Sequence, residues 1–351
     1  MRALREERSN MRVAVYYNNR DVRLEERLKP SIGAGELLVR AQACGICGSD
    51  VMEWYRIKKA PLVLGHEMTG EVVEVGGGVS KYKVGDRVFV SHHVPCGSCR
   101  YCKSGHETAC ETLHKTNYDP GGFAEYVRIP KLNVERGVYL LPDGMSYEEG
   151  TLIEPLACVV RGQRLAGVGR GQTVLVLGSG ISGLLHIKLA KACGVSRIIA
   201  TDMSEYRLKK AMEFGADVSI DSREDVPKKL LEVNEGRLAD RVIVSAGAES
   251  AAKQALSCVD GGGVILYFAV PKPGFELPVP INDFWRSEVT VLTSYGASPK
   301  DLSQALNLIA ARKVRVGEMI THRLSLAEAG RGFKLVADAG ESLKVVIEPQ
   351  R

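Results

Sequence analysis

The chain has 351 residues, 45% of them hydrophobic and 25% charged, a composition with room for two globular domains and ample core. Its net charge of +5 is modest, and the densest basic clusters, Arg56-Ile57-Lys58-Lys59 and Arg207-Leu208-Lys209-Lys210, are short and read as solvated faces. Nucleic acid and a membrane surface are thereby excluded as main partners, and no apolar stretch nears the roughly 18 residues of a membrane span.

Residues 1–10 mix Arg2, Arg5 and Arg8 with Glu6 and Glu7 and contain no apolar run, so they read as an extension rather than a signal peptide. A cytoplasmic protein is expected, with Met11 opening the first strand. Up to about residue 145 the texture is strands and turns. Val13 and Val15 alternate, Leu37-Leu38-Val39 follows Gly33-Ala34-Gly35, and Lys83-Val84-Gly85-Asp86 leads into Arg87-Val88-Phe89-Val90. An irregular, strand-rich domain is predicted.

Two short motifs in this stretch carry chemistry, Cys47-Gly48-Ser49-Asp50 and Gly65-His66-Glu67. A thiolate and an imidazole, with carboxylates at Glu67 and Glu154, supply the donor types of a catalytic zinc, which needs three protein ligands and an open position. Next comes Cys96-x-x-Cys99-x-x-Cys102-x₇-Cys110, four of nine cysteines in one short segment. That spacing points to metal rather than disulfides, and four thiolates around one tetrahedral zinc leave no place for substrate. The lobe's other residues are polar and turn-forming, so a structural metal would supply folding energy that a core cannot. An iron–sulfur cluster and vestigial cysteines are the alternatives. Cys44 reads as a small packed residue, and Cys158, Cys193 and Cys258 as buried thiols.

After about residue 155 the pattern changes to alternating strands and helices. Strands are predicted at 173–177, 197–201, 217–220, 241–244, 263–268 and 289–293, with helices at 182–193, 204–214, 223–235 and 249–258. This predicts an α/β doubly wound parallel sheet. Its first turn is Gly178-x-Gly180-Ile181-x-Gly183, which follows the apolar run Val174–Leu177 and opens the amphipathic stretch containing Leu184, Leu185, Ile187 and Leu189. The glycines suit a tight turn, a pyrophosphate approach and close helix–strand packing, and the helix start offers N–H groups to phosphates. Asp202 stands nineteen residues after Gly183, where a carboxylate meets the adenosine ribose and repels a 2′-phosphate. NAD is therefore favoured over NADP, a preference that Arg207 on the next helix can soften. A helix at 299–312 and a strand at 343–347 return to a different texture and are read as completing the first domain.

Gly45-Ile46-Cys47-Gly48-Ser49-Asp50, Gly65-His66-Glu67, Gly85-Asp86-Arg87-Val88, the four-cysteine lobe and the glycine turn occur in one order. Together they resemble the zinc-dependent medium-chain dehydrogenases over residues 11–351. Glu154-Pro155-Leu156-Ala157 is similar to the sorbitol and threonine dehydrogenase branches. The resemblance implies a GroES-like catalytic domain (1–155 and 297–351), a Rossmann cofactor domain (156–296), and two zinc ions per chain. It implies Cys47 and His66 as constant zinc ligands, Glu154 as third ligand or one water away, and Glu67 as ligand or exchanging carboxylate. Ser49 would accept the substrate proton and Asp50 would orient His66. Zinc would lower the pKa of an alcohol hydroxyl, and nicotinamide would take the hydride.

Relatives often have a histidine three residues after the serine, but here that place is Met52, so the proton exit is unassigned. His93 matches a histidine that borders the substrate pocket in relatives, and Lys344 a basic residue that reaches the pyrophosphate. The substrate class implied is a secondary alcohol, polyol or sugar-derived, with L-threonine 3-dehydrogenase as the alternative. A catalytically inactive NAD(P)H-binding relative is the rival of another class. A homo-oligomer, dimer or tetramer, is also implied.

Overall fold

The computed structural model describes residues 9–351, and the extension read at 1–10 lies, up to residue 8, outside the described residues. The chain forms two compact units, one running to Glu154 and resuming over Val316–Arg351, the other spanning Pro155–Arg315.

The first unit is built around strand Leu37–Gly45, whose side chains are almost all buried. It pairs antiparallel with Glu67–Val75, with Tyr126–Ile129 and with the C-terminal strand Lys344–Glu348. Apolar residues on strands of this sheet and of a smaller three-stranded one, among them Val13, Leu37, Val39, Val88 and Val90, meet Phe123 and Phe333 in one core. The register sets Val346 opposite Gly45 and Gly45 opposite Glu67. Three strands distant in sequence thus lie side by side where the cysteine and histidine motifs begin.

The second unit is the doubly wound sheet. Its strands are β1 (Thr173–Leu177), β2 (Arg197–Asp202), β3 (Val218–Asp221), β4 (Ala239–Val244), β5 (Val259–Tyr267) and β6 (Thr290–Thr293). They run parallel in the order β3-β2-β1-β4-β5-β6. β1 is buried at every position, as expected of a central parallel strand with helices on both faces. The order reverses beside β1, the topological switch point where such sheets bind ligands.

Two expectations are corrected. Helix Pro299–Ala310 belongs to the second unit, not to a completed first domain. The fully buried Asp301 explains this, because it caps with Ser298 and takes Arg164 Nη2 at 3.0 Å from helix Ile153–Leu165. Cys193 is exposed and Cys158 half-buried, whereas Cys258 is buried as read. Among the described residues no helix is long and apolar enough to cross a membrane.

Candidate metal centre and cofactor turn

Leu37–Gly45 ends in a turn that delivers Cys47, and His66 immediately precedes Glu67–Val75. Adjacent strands thereby bring two motifs nineteen residues apart in sequence together. Donor atoms of Cys47, His66 and Glu67 all lie within 4.8 Å of one another. Sulfur, imidazole nitrogen and carboxylate oxygen at that spacing fit a zinc ion.

The surroundings hold each donor in place. Asp50, fully buried, accepts the Cys47 backbone N–H at 3.0 Å through Oδ2 and lies 3.4 Å from His66 Nδ1 through Oδ1. That arrangement turns His66 Nε2 outward as the free donor. Burial alone would press the His66 imidazole down, yet the Asp50 carboxylate and the Cys47 sulfur outweigh it and hold it well above the ordinary range. The Ser49 N–H donates to Cys47 Sγ at 3.4 Å.

Arg56 was not legible as part of this site. Its cluster reads as a solvated face, but its side chain is only 14% exposed and turned inward. Nε donates to the Ser49 carbonyl at 2.9 Å and Nη2 to Ser49 Oγ at 3.1 Å and Asp50 Oδ1 at 3.4 Å. One guanidinium therefore fixes both the hydroxyl beside the metal donors and the carboxylate behind His66. The only sequence signal was an arginine seven residues after Ser49.

Glu67 and Lys344, each 1% exposed, form a buried ion pair. Burial would lower the Lys344 ammonium, but Glu67 more than offsets it and the pKa is raised. Lys344 Nζ also donates to the Ile46 carbonyl at 3.2 Å. This departs from the expected pyrophosphate role, since the ammonium is fully enclosed within the first unit and engaged by Glu67 and the Ile46 carbonyl. Glu154 is half-buried and close enough to bear electrostatically on Glu67 and Lys344, but it is not one of the three clustered donors.

His66, His92 and His93 form a stack, with ring centroids 4.9 Å and 3.8 Å apart in sequence. Burial, then the nearby His66, His114, Arg56 and Lys59, lower His93 to about 4, so its imidazole is neutral at physiological pH. Asn133 Nδ2 holds the segment by donating to the Ser91 and His92 carbonyls. Cys44 is buried with its sulfur against Gly65 and Gly122, where a Cβ would stand 2.8 and 2.6 Å away. It is a packing residue.

The four lobe sulfurs of Cys96, Cys99, Cys102 and Cys110 likewise fall within 4.8 Å of one another. Backbone N–H groups of Ser98 and Cys99 donate to Cys96 Sγ at 3.4 and 3.3 Å, and that of Cys96 to Cys110 Sγ at 3.4 Å. Such donors favour thiolates, and none of the four is in a disulfide.

In the second unit, Gly178 has φ +93°, and a Cβ there would sit 2.7 Å from Ala246 Cβ. At Gly183 a Cβ would meet the Gly178 carbonyl oxygen at 1.9 Å, whereas the space at Gly180 is open. Helix Ile181–Ala192 begins there. Tight turn, open approach and close packing are the three properties a pyrophosphate cradle requires. Asp202 closes β2, accepting the Ser179 and Ser204 backbone N–H groups at 2.8 and 2.9 Å, with Arg207 Nη1 4.0 Å away.

Comparison with known proteins accords with this geometry. Residues 33–143 match the family model described as alcohol dehydrogenase GroES-like domain, and residues 182–311 the one described as zinc-binding dehydrogenase. The chain is 31% identical to the sorbitol dehydrogenase of Bacillus subtilis (strain 168) across 97% of its own length and 98% of the relative's. It is 33% identical to D-xylulose reductase A of Aspergillus niger across 93% of each chain. A solved Sinorhizobium meliloti 1021 protein bound to NADP superposes with a TM-score of 0.87 at 29% identity, covering 97% of this chain and 100% of that one.

Proposed function

This chain belongs to the zinc-dependent medium-chain dehydrogenases, and we propose that it transfers a hydride between a polyol or sugar-derived secondary alcohol and NAD. The observation that carries the reading is the cluster of Cys47, His66 and Glu67 donors with the Ser49 hydroxyl fixed beside it. Zinc there would supply Lewis acidity, and a nicotinamide dinucleotide whose pyrophosphate the glycine turn holds would supply the hydride acceptor. Cys47 and His66 hold the metal, with Glu154 or Glu67 as the third donor. Cys96, Cys99, Cys102 and Cys110 hold a second, structural zinc.

Ser49 accepts the substrate proton. Arg56 donates to Ser49 Oγ, which leaves the second lone pair available to a substrate proton and the hydroxyl hydrogen to an onward acceptor. A guanidinium does not deprotonate in this range, and with Met52 in the histidine's place the proton leaves through another group. His93 contacts substrate as a neutral imidazole. In the cofactor site, Gly178, Gly180, Ile181 and Gly183 cradle the pyrophosphate and Asp202 takes the ribose hydroxyls. Asp202 favours NAD, and the adjacent Arg207 leaves some use of NADP.

The relatives named above act on a polyol and a ketose, which does not favour the L-threonine reading; the intact donor set does not favour an inactive relative. Pairing of copies through the second unit is supported by its edge strand β6 and by Ile281 and Trp285, 71% and 74% exposed. The absence of disulfides among nine cysteines supports a reducing compartment such as the cytoplasm.

The decisive measurement is NAD reduction by zinc-replete protein across polyols, inositols, threonine and simple secondary alcohols, with metal analysis of the same sample. Polyol turnover with about two zinc per chain is the expected result. No turnover of any secondary alcohol would remove the reading. For His93→Ala, a raised KM or an altered pH–rate profile is expected, and unchanged values of both would take His93 out of the site.

A further inference from the structure

Basic groups converge on His93 from three parts of the first unit. His66 precedes strand Glu67–Val75, Arg56 and Lys59 close the short helical turns Glu53–Arg56 and Ile57–Lys59, and His114 lies on helix Glu111–Lys115. These are the ionisable groups that bear most on its imidazole, and none of them is acidic. Both buried acids of the metal centre are already countered, Asp50 by Arg56 and His66, and Glu67 by Lys344. Lys59 is not. It is exposed, and among the described residues its ammonium joins no ion pair, resting instead against the Tyr55 ring.

A short chain of contacts ties that ammonium to the site. Arg56 Nη2 lies 3.1 Å from Ser49 Oγ, the Arg56 guanidinium 4.7 Å from the centre of the Tyr55 ring, and Lys59 Nζ 5.4 Å from that same centre. One aromatic ring therefore carries both the cation that orders the Ser49 hydroxyl and a second cation open to solvent. Arg56 is committed to Ser49 and Asp50, whereas Lys59 has its ammonium hydrogens to give. A neutral polyol gains nothing from an uncountered cation near the reacting hydroxyl. An anionic group would be drawn in on approach and paired once bound. From this arrangement we infer that the substrate is a polyol or sugar derivative bearing an acidic group, a carboxylate or a phosphate, which Lys59 receives while the reacting alcohol stands beside Ser49. The inference rests on the zinc-dehydrogenase reading and narrows its substrate class.

The test compares matched substrates on zinc-replete protein with NAD: alditols against the corresponding aldonates, and alditols against their terminal phosphates. In one anionic series kcat/KM should exceed that of the neutral partner by about tenfold or more, and the better series identifies the acidic group. Lys59→Met should cut this preference about tenfold, chiefly through KM, and Lys59→Glu should reverse it. Lys59→Arg, which keeps the charge, should hold the preference within about threefold of wild type. Added salt should lower kcat/KM for the anionic substrate severalfold and leave that for the neutral one within about twofold.

Because Lys59 is exposed, its replacement leaves the core untouched, and unchanged melting temperatures of the variants check this. Neutral polyols turned over as well as both anionic series, or an anion preference that survives Lys59→Met, would overturn the inference. No turnover of any secondary alcohol, neutral or charged, would instead mean that the dehydrogenase reading itself has failed, so the two failures are distinguishable.

Discussion

The two metal sites of the first unit are built on opposite plans. The cysteine lobe draws all four donors from residues 96–110, uses one ligand type, and stiffens it with backbone N–H groups from its own turns. The Cys47 centre draws on residues separated along the chain, mixes sulfur, nitrogen and oxygen, and is held by side chains: Asp50, Arg56 and Lys344. A local site can form whenever its segment meets a metal. A site assembled from three adjacent strands exists only after the sheet does. The lobe consequently suits stability and the centre suits chemistry, where uneven ligands leave room for a substrate.

That division is most sharply tested by one cysteine from each site. Cys47→Ser should lower kcat/KM by at least about 10³, roughly 4 kcal/mol of barrier, with the melting temperature little changed. Cys99→Ser should do the reverse: several kcal/mol of stability are lost with the lobe's zinc, while molecules that remain folded turn over at near-normal kcat. Activity and thermal unfolding measured on both variants decide, and matching losses in the two would abolish the distinction.

A smaller effect is expected at the side-chain scaffold. Arg56→Met should reduce kcat by about 10- to 30-fold, near 1.4–2 kcal/mol, with KM within about twofold, because the guanidinium orders Ser49 and Asp50 rather than binding substrate. Steady-state kinetics test this, and a pure KM effect would place Arg56 against the substrate instead.

A last test, on stability rather than turnover, concerns what a histidine does without a carboxylate. His66 has Asp50, but His186 in the second unit is fully buried beside Phe268 and Gln163, and burial presses it down to about 3. Its folded pKa lies below the unfolded value of about 6.5, so as pH falls the unfolded chain takes the proton first. His186 thus contributes fully above about pH 6.5, and that stability drains away toward pH 3 at about 1.4 kcal/mol per pH unit. His186→Gln should flatten this acid limb in denaturant titrations at pH 6.5 and 4.5. Equal slopes in variant and wild type would show that the imidazole is not held neutral.

Much of the second unit could be read in advance, because buried parallel strands are short apolar runs bounded by glycine and polar turns. The predicted 173–177 and 197–201 correspond to β1 and β2 almost residue for residue. The lobe was legible for a similar reason, its information being contiguous. What could not be read was non-local. Nothing in Arg-Ile-Lys-Lys distinguishes the inward Arg56 from its exposed lysines, and no spacing rule joins position 344 to position 67 through a glycine at 45. The allegiance of helix Pro299–Ala310 was hidden likewise, since it depends on Asp301 meeting Arg164.

The lobe's geometry has a consequence for handling the protein. Cys99 and Cys102 sulfurs lie 3.5 Å apart, and Cys96 and Cys102 sulfurs 3.9 Å, in half-buried positions that oxidants can reach. A zinc ion held there would tie up all four thiolates. Purification with strong chelators in air would strip that protection and invite cross-linking within the lobe, a lesion that zinc added later does not reverse without a thiol reductant.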